Sequence, residues 1–304
     1  MLLIQRTPPG IFHHPATRLI SRRAFTSSRV VRRLALSYDL HEPSPKQDGE
    51  QLGAPIVFLH GLFGSKQNNR SMSKALARDL RRPVYAVDLR NHGDSPHDPT
   101  HDYLHLANDV ETFLEYHKLT EPTLIGHSMG AKVAMTVALR SPPKVANLIA
   151  VDNAPVDAAL KSDFGGYIRG MRQIEEKGAK RQSDADEILK SYAPELPIRQ
   201  FLLTNLTRPQ GSEYLKFRIP VKYLADALDK MADFPFKDPE QVRFAKPALF
   251  VRGTKSHYMA DETLPVIGRF FPLFQVVDVE GGHWVISENP EAFKTAVVEF
   301  LQQE

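Results

Sequence analysis

Cysteine is absent from all 304 residues, which removes disulfides, thiolate catalysis and cysteine-built zinc sites and argues against a secreted, disulfide-stapled fold. Long apolar runs are missing too. The longest are strand-sized, far short of the roughly 20 residues a membrane-spanning helix needs, so no transmembrane segment is expected. Lys132 follows two glycines, but the Gly-x-x-x-x-Gly-Lys-Ser/Thr spacing of a phosphate loop is not there. The formal charge of +3 is also misleading, because seven arginines lie in the first 38 residues and removing them gives +3 − 7 = −4. The working part of the chain is therefore mildly acidic, and a nucleic-acid partner has no electrostatic support. What remains, with 25% charged and 42% hydrophobic residues, is ordinary for a globular enzyme.

Residues 1–38 differ from the rest. Arginines stand at 6, 18, 22, 23, 29, 32 and 33 among several Ser and Thr, with no acid before Asp39. That composition is expected of a mitochondrial transit peptide, and with it a location in the matrix. A secretory signal is the weaker alternative, since Met1-Leu2-Leu3-Ile4 is too short an apolar start and Pro8-Pro9 prevents its extension.

From residue 55 onward, short apolar runs alternate with longer amphipathic stretches, the pattern of a mostly parallel sheet flanked by helices. Strands are expected at Ile56–Leu59, Val84–Asp88, Thr123–Gly126, Val145–Asp152, Pro247–Val251 and Leu273–Val279, with a further one within Arg33–Leu40. Helices are expected at about Asn68–Leu80, Tyr103–His117, Met129–Leu139, Asp261–Phe271 and Glu291–Leu301. Between Ala154 and Pro247 the strand rhythm stops. Charged, proline-punctuated pieces such as Ala185–Tyr192, Pro197–Leu206 and Val221–Met231 read as an inserted helical lid. The expected organisation is a core of residues 39–153 and 247–304 with a lid at 154–246.

The most informative segment is Leu124-Ile-Gly-His-Ser-Met-Gly130, an apolar run entering a Gly-x-Ser-x-Gly turn that leads into a helix. This is the pattern of a nucleophile elbow, in which glycines flanking Ser128 permit a tight strand-to-helix turn. Serine is a poor nucleophile at neutral pH, so Ser128 needs a base and a group to orient that base. His283, in Gly281-Gly-His-Trp284, comes after the last expected strand through a flexible loop and is the candidate base. The loop after the next-to-last strand, Arg252 to Tyr258, holds no carboxylate before Asp261. One strand earlier, Val151-Asp-Asn-Ala-Pro155 places an aspartate at a strand end, so Asp152 is the expected acid and Asp261 the second choice. An oxyanion needs two backbone donors. One is expected from Met129 and the other from the loop His60-Gly-Leu-Phe-Gly-Ser65, with Leu62 ahead of Phe63. His60 is expected to lock that loop by hydrogen bonding, and Asp88-Leu-Arg-Asn-His-Gly-Asp-Ser95 to serve as scaffold beneath it. His101 and His105 have zinc-helix spacing, but Asp stands where Glu would act as base and no third ligand is evident, so no metal is expected.

Taken together, His60-Gly-Leu-Phe-Gly-Ser, Asp88-Leu-Arg-Asn-His-Gly-Asp-Ser-Pro, Gly126-His-Ser-Met-Gly, Val151-Asp-Asn-Ala-Pro-Val and Gly281-Gly-His-Trp resemble one branch of the alpha/beta-hydrolase superfamily. Over roughly residues 34–304 the chain is similar to small bacterial esterases and to mitochondrial alpha/beta-hydrolase-domain proteins, whose fungal relatives include ethanol acetyltransferases. That subgroup carries its acid after the strand following the elbow, which supports Asp152. The resemblance implies a cofactor-free serine enzyme acting on acyl esters or thioesters, with acyl transfer to an alcohol as the alternative. A non-catalytic binding module of a matrix enzyme complex is a third reading. Selection among substrates is expected to reside in the lid and in Phe63, Met129 and Trp284, whose bulk suggests a short acyl pocket.

Overall fold

Four consecutive apolar residues, Ile56-Val-Phe-Leu59, form the first central strand, and all four are buried. Side chains alternate between the faces of a strand, so every residue is buried only if both faces are covered, as in a parallel sheet between helical layers. The computed structural model describes residues 34–44, 52–157 and 162–303 and has this architecture. Most of the arginine-rich segment lies outside the described residues.

The strands are β1 (Tyr38–His41), β2 (Ile56–Leu59), β3 (Val84–Val87), β4 (Thr123–His127), β5 (Asn147–Val151), β6 (Leu206–Thr207), β7 (Lys216–Phe217), β8 (Ala248–Gly253) and β9 (Phe274–Val279). The helices are α1 (Arg70–Leu80), α2 (Tyr103–Tyr116), α3 (Met129–Arg140), α4 (Ser162–Lys177), α5 (Gln182–Leu189), α6 (Leu196–Leu203), α7 (Val221–Asp226), α8 (Leu228–Ala232), α9 (Leu264–Phe270), α10 (Val285–Glu288) and α11 (Pro290–Gln302). Seven strands form the main sheet in the order β1-β3-β2-β4-β5-β8-β9, parallel except for β1.

Alternation along the strands builds two cores. Ile56, Phe58, Ile125, Ile149 and Leu249 meet Met72 and Leu76 of α1 and Phe293 and Val297 of α11. Val57, Leu59, Leu124, Leu148 and Phe250 belong to the opposite core, with Leu106 and Val110 of α2 and Val133 and Val137 of α3. Burial of each such side chain contributes about 1.5–3 kcal/mol. The chain runs from β2 to β3 on one side and then crosses to β4 on the other. This reversal opens a crevice at the carboxyl ends of β2 and β4, the place where α/β sheets bind ligands. The register Leu59 opposite Gly126 brings the loops after both strands to that point.

The six main expected strands occur within one or two residues of their expected limits, and the antiparallel edge strand starts at Tyr38. The expected helix Asp261–Phe271 begins as a 3-10 turn, Asp261–Thr263, with Pro265 setting the first turn of α9. Between β5 and β8 the described residues form five helices and a short hairpin of β6 with β7, and the sequence pattern did not suggest the hairpin. The expected piece Val221–Met231 is split into α7 and α8 at Ala227.

Helix α4 was also not expected. Gly165, Gly166 and Gly170 each weaken an isolated helix by roughly 1 kcal/mol relative to alanine. Packing overrides that preference, because Phe164, Ile168, Met171 and Ile174 are buried along one stripe. A Cβ at Gly170 would stand 2.8 Å from the Leu189 side chain, so the glycine permits close approach to α5.

Candidate active site

Ser128 sits between β4 and α3 with φ 55° and ψ −115°, a conformation in which non-glycine residues are strained. The turn closes only because its flanks lack side chains. A Cβ on Gly126 would fall 2.1 Å from the Gly130 carbonyl oxygen, and one on Gly130 would fall 2.5 Å from that of Leu59. Asn153 holds the elbow from the next strand, donating from Nδ2 to the Ser128 carbonyl at 3.1 Å.

The structure brings three of the expected residues into one hydrogen-bonded chain. His283 Nε2 lies 2.8 Å from Ser128 Oγ, and His283 Nδ1 lies 2.6 Å from Asp152 Oδ2. Asp152 is fully buried at the end of β5, with a φ of 51° that turns its carboxylate toward the β8 loop. That loop, lacking a carboxylate of its own at this place, supplies donors instead. The Gly253 N–H donates to Asp152 Oδ1 at 3.1 Å, and the Ser256 hydroxyl donates to Oδ2. Asp261, the second candidate, is exposed and paired with Arg252, which also binds Asp278 at 2.7 Å. Tyr258 stacks on the His283 ring with centroids 4.0 Å apart and planes 27° apart, limiting rotation of the imidazole. Neither Ser256 nor Tyr258 was singled out from the sequence. Both stand in the loop after β8, but nothing local signals that they reach Asp152 and His283.

The oxyanion loop is set by histidines in defined tautomers. A ring nitrogen facing a carbonyl oxygen must carry the proton. His60 therefore donates from Nδ1 to Gly61 O at 2.8 Å and accepts the Leu89 N–H at Nε2, 3.0 Å away. His92 likewise donates to Arg90 O and accepts the Phe63 N–H at 3.0 Å. Phe63, held at a φ of 63°, thus has its N–H committed to His92 and drops out as an oxyanion donor. The Leu62 N–H has no protein acceptor among the described residues, and Met129 N–H is one of the first-turn donors of α3 that a helix leaves unpaired. Asn205 reaches down from the β5–β8 insertion and donates to Phe63 O at 2.8 Å. Asp88 serves as scaffold, accepting from the Lys66 and Asp94 backbones while its carboxylate pairs with the Lys66 ammonium at 2.6 Å. The zinc-spaced histidines diverge: His101 accepts from Asn91 in the interior, and His105 bonds to Asp102.

His127 was not assigned a role from the sequence. Its Nε2 donates to the His283 carbonyl at 2.7 Å, tying the elbow to the base loop. Burial, followed by the proximity of His283, lowers its pKa to about 4. Burial also lowers His60, holds His92 well below its ordinary range and brings His101 to about 3. These four rings stay neutral in the folded protein at pH values where the unfolded chain, with pKa near 6.5, binds protons. The unfolded state then carries more protons, so stability is full above about pH 6.5 and falls as pH drops toward 4. Each ring contributes up to about 1.4 kcal/mol per pH unit within that window. Urea unfolding is expected to show a clearly lower midpoint at pH 5 than at pH 7. A flat profile over that interval would show that these rings are charged in the native state.

Two cavities open near the site: Gly61 and His127, neighbours of Ser128, line one and His283 lines the other, while Ser128 itself lines neither. The larger, about 710 Å³, runs from Gly61 and His127 between α1, α6 and α11, bounded by Met72, Phe201 and Trp284. The smaller, about 230 Å³, contains His283 together with Tyr258, Tyr167 and Phe164. Trp284 and Ile198 line both and so form the wall between them. Phe63, expected at the mouth, is instead buried against Phe164, with ring centroids 5.9 Å apart. Met129 is buried as well.

A mostly parallel sheet with a strained serine at a strand-to-helix elbow, facing a histidine delivered after the last strand, defines a class of α/β enzymes. The chain belongs to the alpha/beta hydrolase fold family, whose model matches residues 54–290. It is 40% identical over 289 residues to the probable alcohol acetyltransferase of Saccharomyces cerevisiae, covering 89% of this chain and 84% of that protein. It is 40% identical over 292 residues to the sn-1-specific diacylglycerol lipase ABHD11 of Mus musculus, covering 94% of this chain and 92% of that one. Among solved structures, a marine microorganism esterase superposes with a TM-score of 0.80 at 30% identity, covering 88% of this chain and 99% of the esterase.

Proposed function

We propose that the protein is a serine esterase that cleaves acyl esters or thioesters through an acyl-enzyme. The observation that carries this reading is the unbroken chain from Ser128 Oγ through the His283 ring to Asp152, at the crevice where the sheet reverses direction. In the mechanism, Ser128 Oγ attacks the acyl carbon while His283 Nε2 takes its proton, and Asp152 holds Nδ1–H and stabilises the imidazolium. The oxyanion is met by the N–H groups of Leu62 and Met129, each worth on the order of a hundred- to a thousandfold in rate. Collapse expels the alcohol, which receives the proton from His283, and water then resolves the acyl-enzyme by the reverse sequence. No cofactor takes part in this scheme.

The larger cavity, at about 710 Å³, falls within the roughly 300–1,000 Å³ of ordinary ligand sites, and it adjoins the elbow through Gly61 and His127, which supports an acyl group longer than acetyl extending into it. It favours substrates like those of the relatives named as diacylglycerol lipases over the short acyl group suggested by residue bulk alone. Trp284 is the expected side chain that both acyl and alcohol parts touch, since it divides the two cavities.

A second reading, alcohol O-acyltransferase, is supported by the relatives named as alcohol or ethanol acetyltransferases, including one of Kluyveromyces lactis at 33% identity over 290 residues. Both reactions share the acyl-enzyme and differ in whether water or an alcohol resolves it. The test is to incubate the full chain with glyceryl and ethyl esters of acetate and of a long fatty acid, with and without ethanol, and to quantify free acid and new ethyl ester. Release of acid that ethanol does not divert is the expected result. Ethyl ester as the main product would establish the transferase instead. The arginine-rich, acid-poor residues 1–38 support import into the mitochondrial matrix as the setting for this activity.

A further inference from the structure

The turn that aims the Leu62 N–H is held at Phe63 from two directions. On the core side, the Gly64 N–H closes back on the Gly61 carbonyl at 3.0 Å, and His92 takes the Phe63 N–H. On the other side, the Phe63 carbonyl accepts one hydrogen bond among the described residues, at 2.8 Å from Nδ2 of Asn205, 142 positions along the chain. Asn205 is 2% exposed and stands at a joint of the insertion between β5 and β8. Its N–H donates to Leu202 O in the last turn of α6 at 3.2 Å, and its carbonyl accepts the Arg218 N–H at 2.9 Å, just past β7. Helix α6 also brings Ile198 and Phe201 to the larger cavity, where Phe201 packs on Trp284 with ring centroids 4.5 Å apart. One side chain therefore connects the helix that walls the cavity to the loop that carries an oxyanion donor.

At a φ of 63° Phe63 holds a conformation unfavourable for a non-glycine residue, so the turn persists only while its surroundings fix it. Without Asn205 the Phe63 carbonyl is left buried and unpaired, and the turn gains free energy by twisting that carbonyl toward another donor. An oxyanion donor works through its placement, so a twist at the neighbouring residue costs rate although no group touching the substrate has been removed. We propose that Asn205 is a positioning residue of the oxyanion hole: by holding the Phe63 carbonyl it keeps the Leu62 N–H aimed at the reacting centre, and it makes that aim depend on the seating of the insertion. The proposal rests on Ser128 as nucleophile and Leu62 as oxyanion donor.

The test compares the wild-type protein with Asn205→Ala and with Asn205→Leu, which keeps most of the side chain's volume and removes its donor. For ethyl butyrate, kcat is expected to fall roughly tenfold to a hundredfold, less than outright loss of an oxyanion donor, with KM changed by no more than about twofold. Arg218→Ala is the control for seating alone. Its guanidinium reaches Asp94 at 3.6 Å from the same hairpin and makes no hydrogen bond to residues 60–65, so its loss should change kcat by less than about twofold. A second readout needs no turnover. An alkyl trifluoromethyl ketone forms an adduct in which Ser128 Oγ bonds to the carbonyl carbon, the serine proton passes to His283 and the former carbonyl oxygen becomes the oxyanion. Its inhibition constant should rise in both Asn205 variants by about the factor that kcat falls. A rise in KM at constant kcat, an equal loss in Arg218→Ala, or an adduct as tight in the Asn205 variants as in the wild type would overturn the role of Asn205. Loss of the folded state in both Asn205 variants, with Arg218→Ala folded, would make Asn205 a structural residue and overturn it as well. A wild-type protein that forms no adduct would instead remove Ser128 as nucleophile, and this proposal with it.

Discussion

Replacement of Ser128 by alanine is expected to lower ester turnover by about a millionfold while leaving the protein folded. That magnitude is the loss seen when a serine nucleophile is removed from a comparable triad, where only the oxyanion donors and binding groups still act. Here the oxyanion donors are backbone N–H groups in a loop held by His60 and His92, none of which depends on the serine side chain. Stability should respond to the backbone rather than to the lost hydroxyl. At φ 55° and ψ −115° both serine and alanine are strained, and glycine is not. Ser128→Gly is therefore expected to be as inactive as Ser128→Ala but more stable than it by about 1 kcal/mol. Steady-state rates and urea midpoints of the two variants check both halves. Retention of more than a thousandth of the activity in Ser128→Ala would remove Ser128 as nucleophile. A Ser128→Gly variant no more stable than Ser128→Ala would show that the elbow stores no strain.

The same separation between local pattern and distant contact explains which parts of the fold and site were legible in the sequence. Strand β2 is a continuous apolar run, and β4 and β5 are built around Leu124–Gly126 and Leu148–Val151, because both of their faces are covered; the polar Thr123, His127 and Asn147 extend the last two beyond those runs. Ser128 was legible because the elbow needs Gly126 and Gly130 at fixed spacing, and His283 because it comes after the last strand. Asp152 was reached through a gap, the lack of a carboxylate from Arg252 to Tyr258, before Asp261. The structure gives that gap a physical meaning, since Gly253 and Ser256 fill it with donors to the neighbouring strand's aspartate.

The parts that were not legible depend on contacts between elements remote in the chain. The glycines of α4 count against a helix by propensity, and only the stripe from Phe164 to Ile174, packed against the core, outweighs them. The β6–β7 hairpin is two residues long on each side, too short to leave an alternation. Phe63 was expected at the mouth because it stands next to Leu62, but a positive φ and the bond from its N–H to His92 turn it inward. Tyr258, from the loop after β8, and His127, the last residue of β4, both stand beside His283, a proximity that no spacing rule encodes.

Asp152→Asn is expected to cost about ten-thousandfold in kcat, and Asp261→Asn less than twofold. The first figure matches the loss for the corresponding change in a serine protease, and the hydrogen bonds here explain why an isosteric amide cannot substitute. Both carboxylate oxygens of Asp152 accept: Oδ1 from the Gly253 N–H, and Oδ2 from Ser256 and from His283 Nδ1. Asparagine has one oxygen, so its amino group must face either the Gly253 N–H or the imidazole. In the first orientation two donors oppose each other in a buried site, which costs about 1–3 kcal/mol. In the second, Nδ1 becomes an acceptor and the ring proton moves to Nε2, where it points at Ser128 and blocks removal of the serine proton. Relief of the buried clash drives the site toward this inactive tautomer. Asp261, in contrast, is exposed on an arginine that keeps Asp278 as a partner, so its loss should change stability by no more than about 0.5 kcal/mol. Parallel kcat measurements on the two purified variants decide the matter. An active Asp152→Asn beside an inactive Asp261→Asn would reassign the acid to the β8 loop and require that loop to rearrange, since Asp261 now points away from His283 toward Arg252.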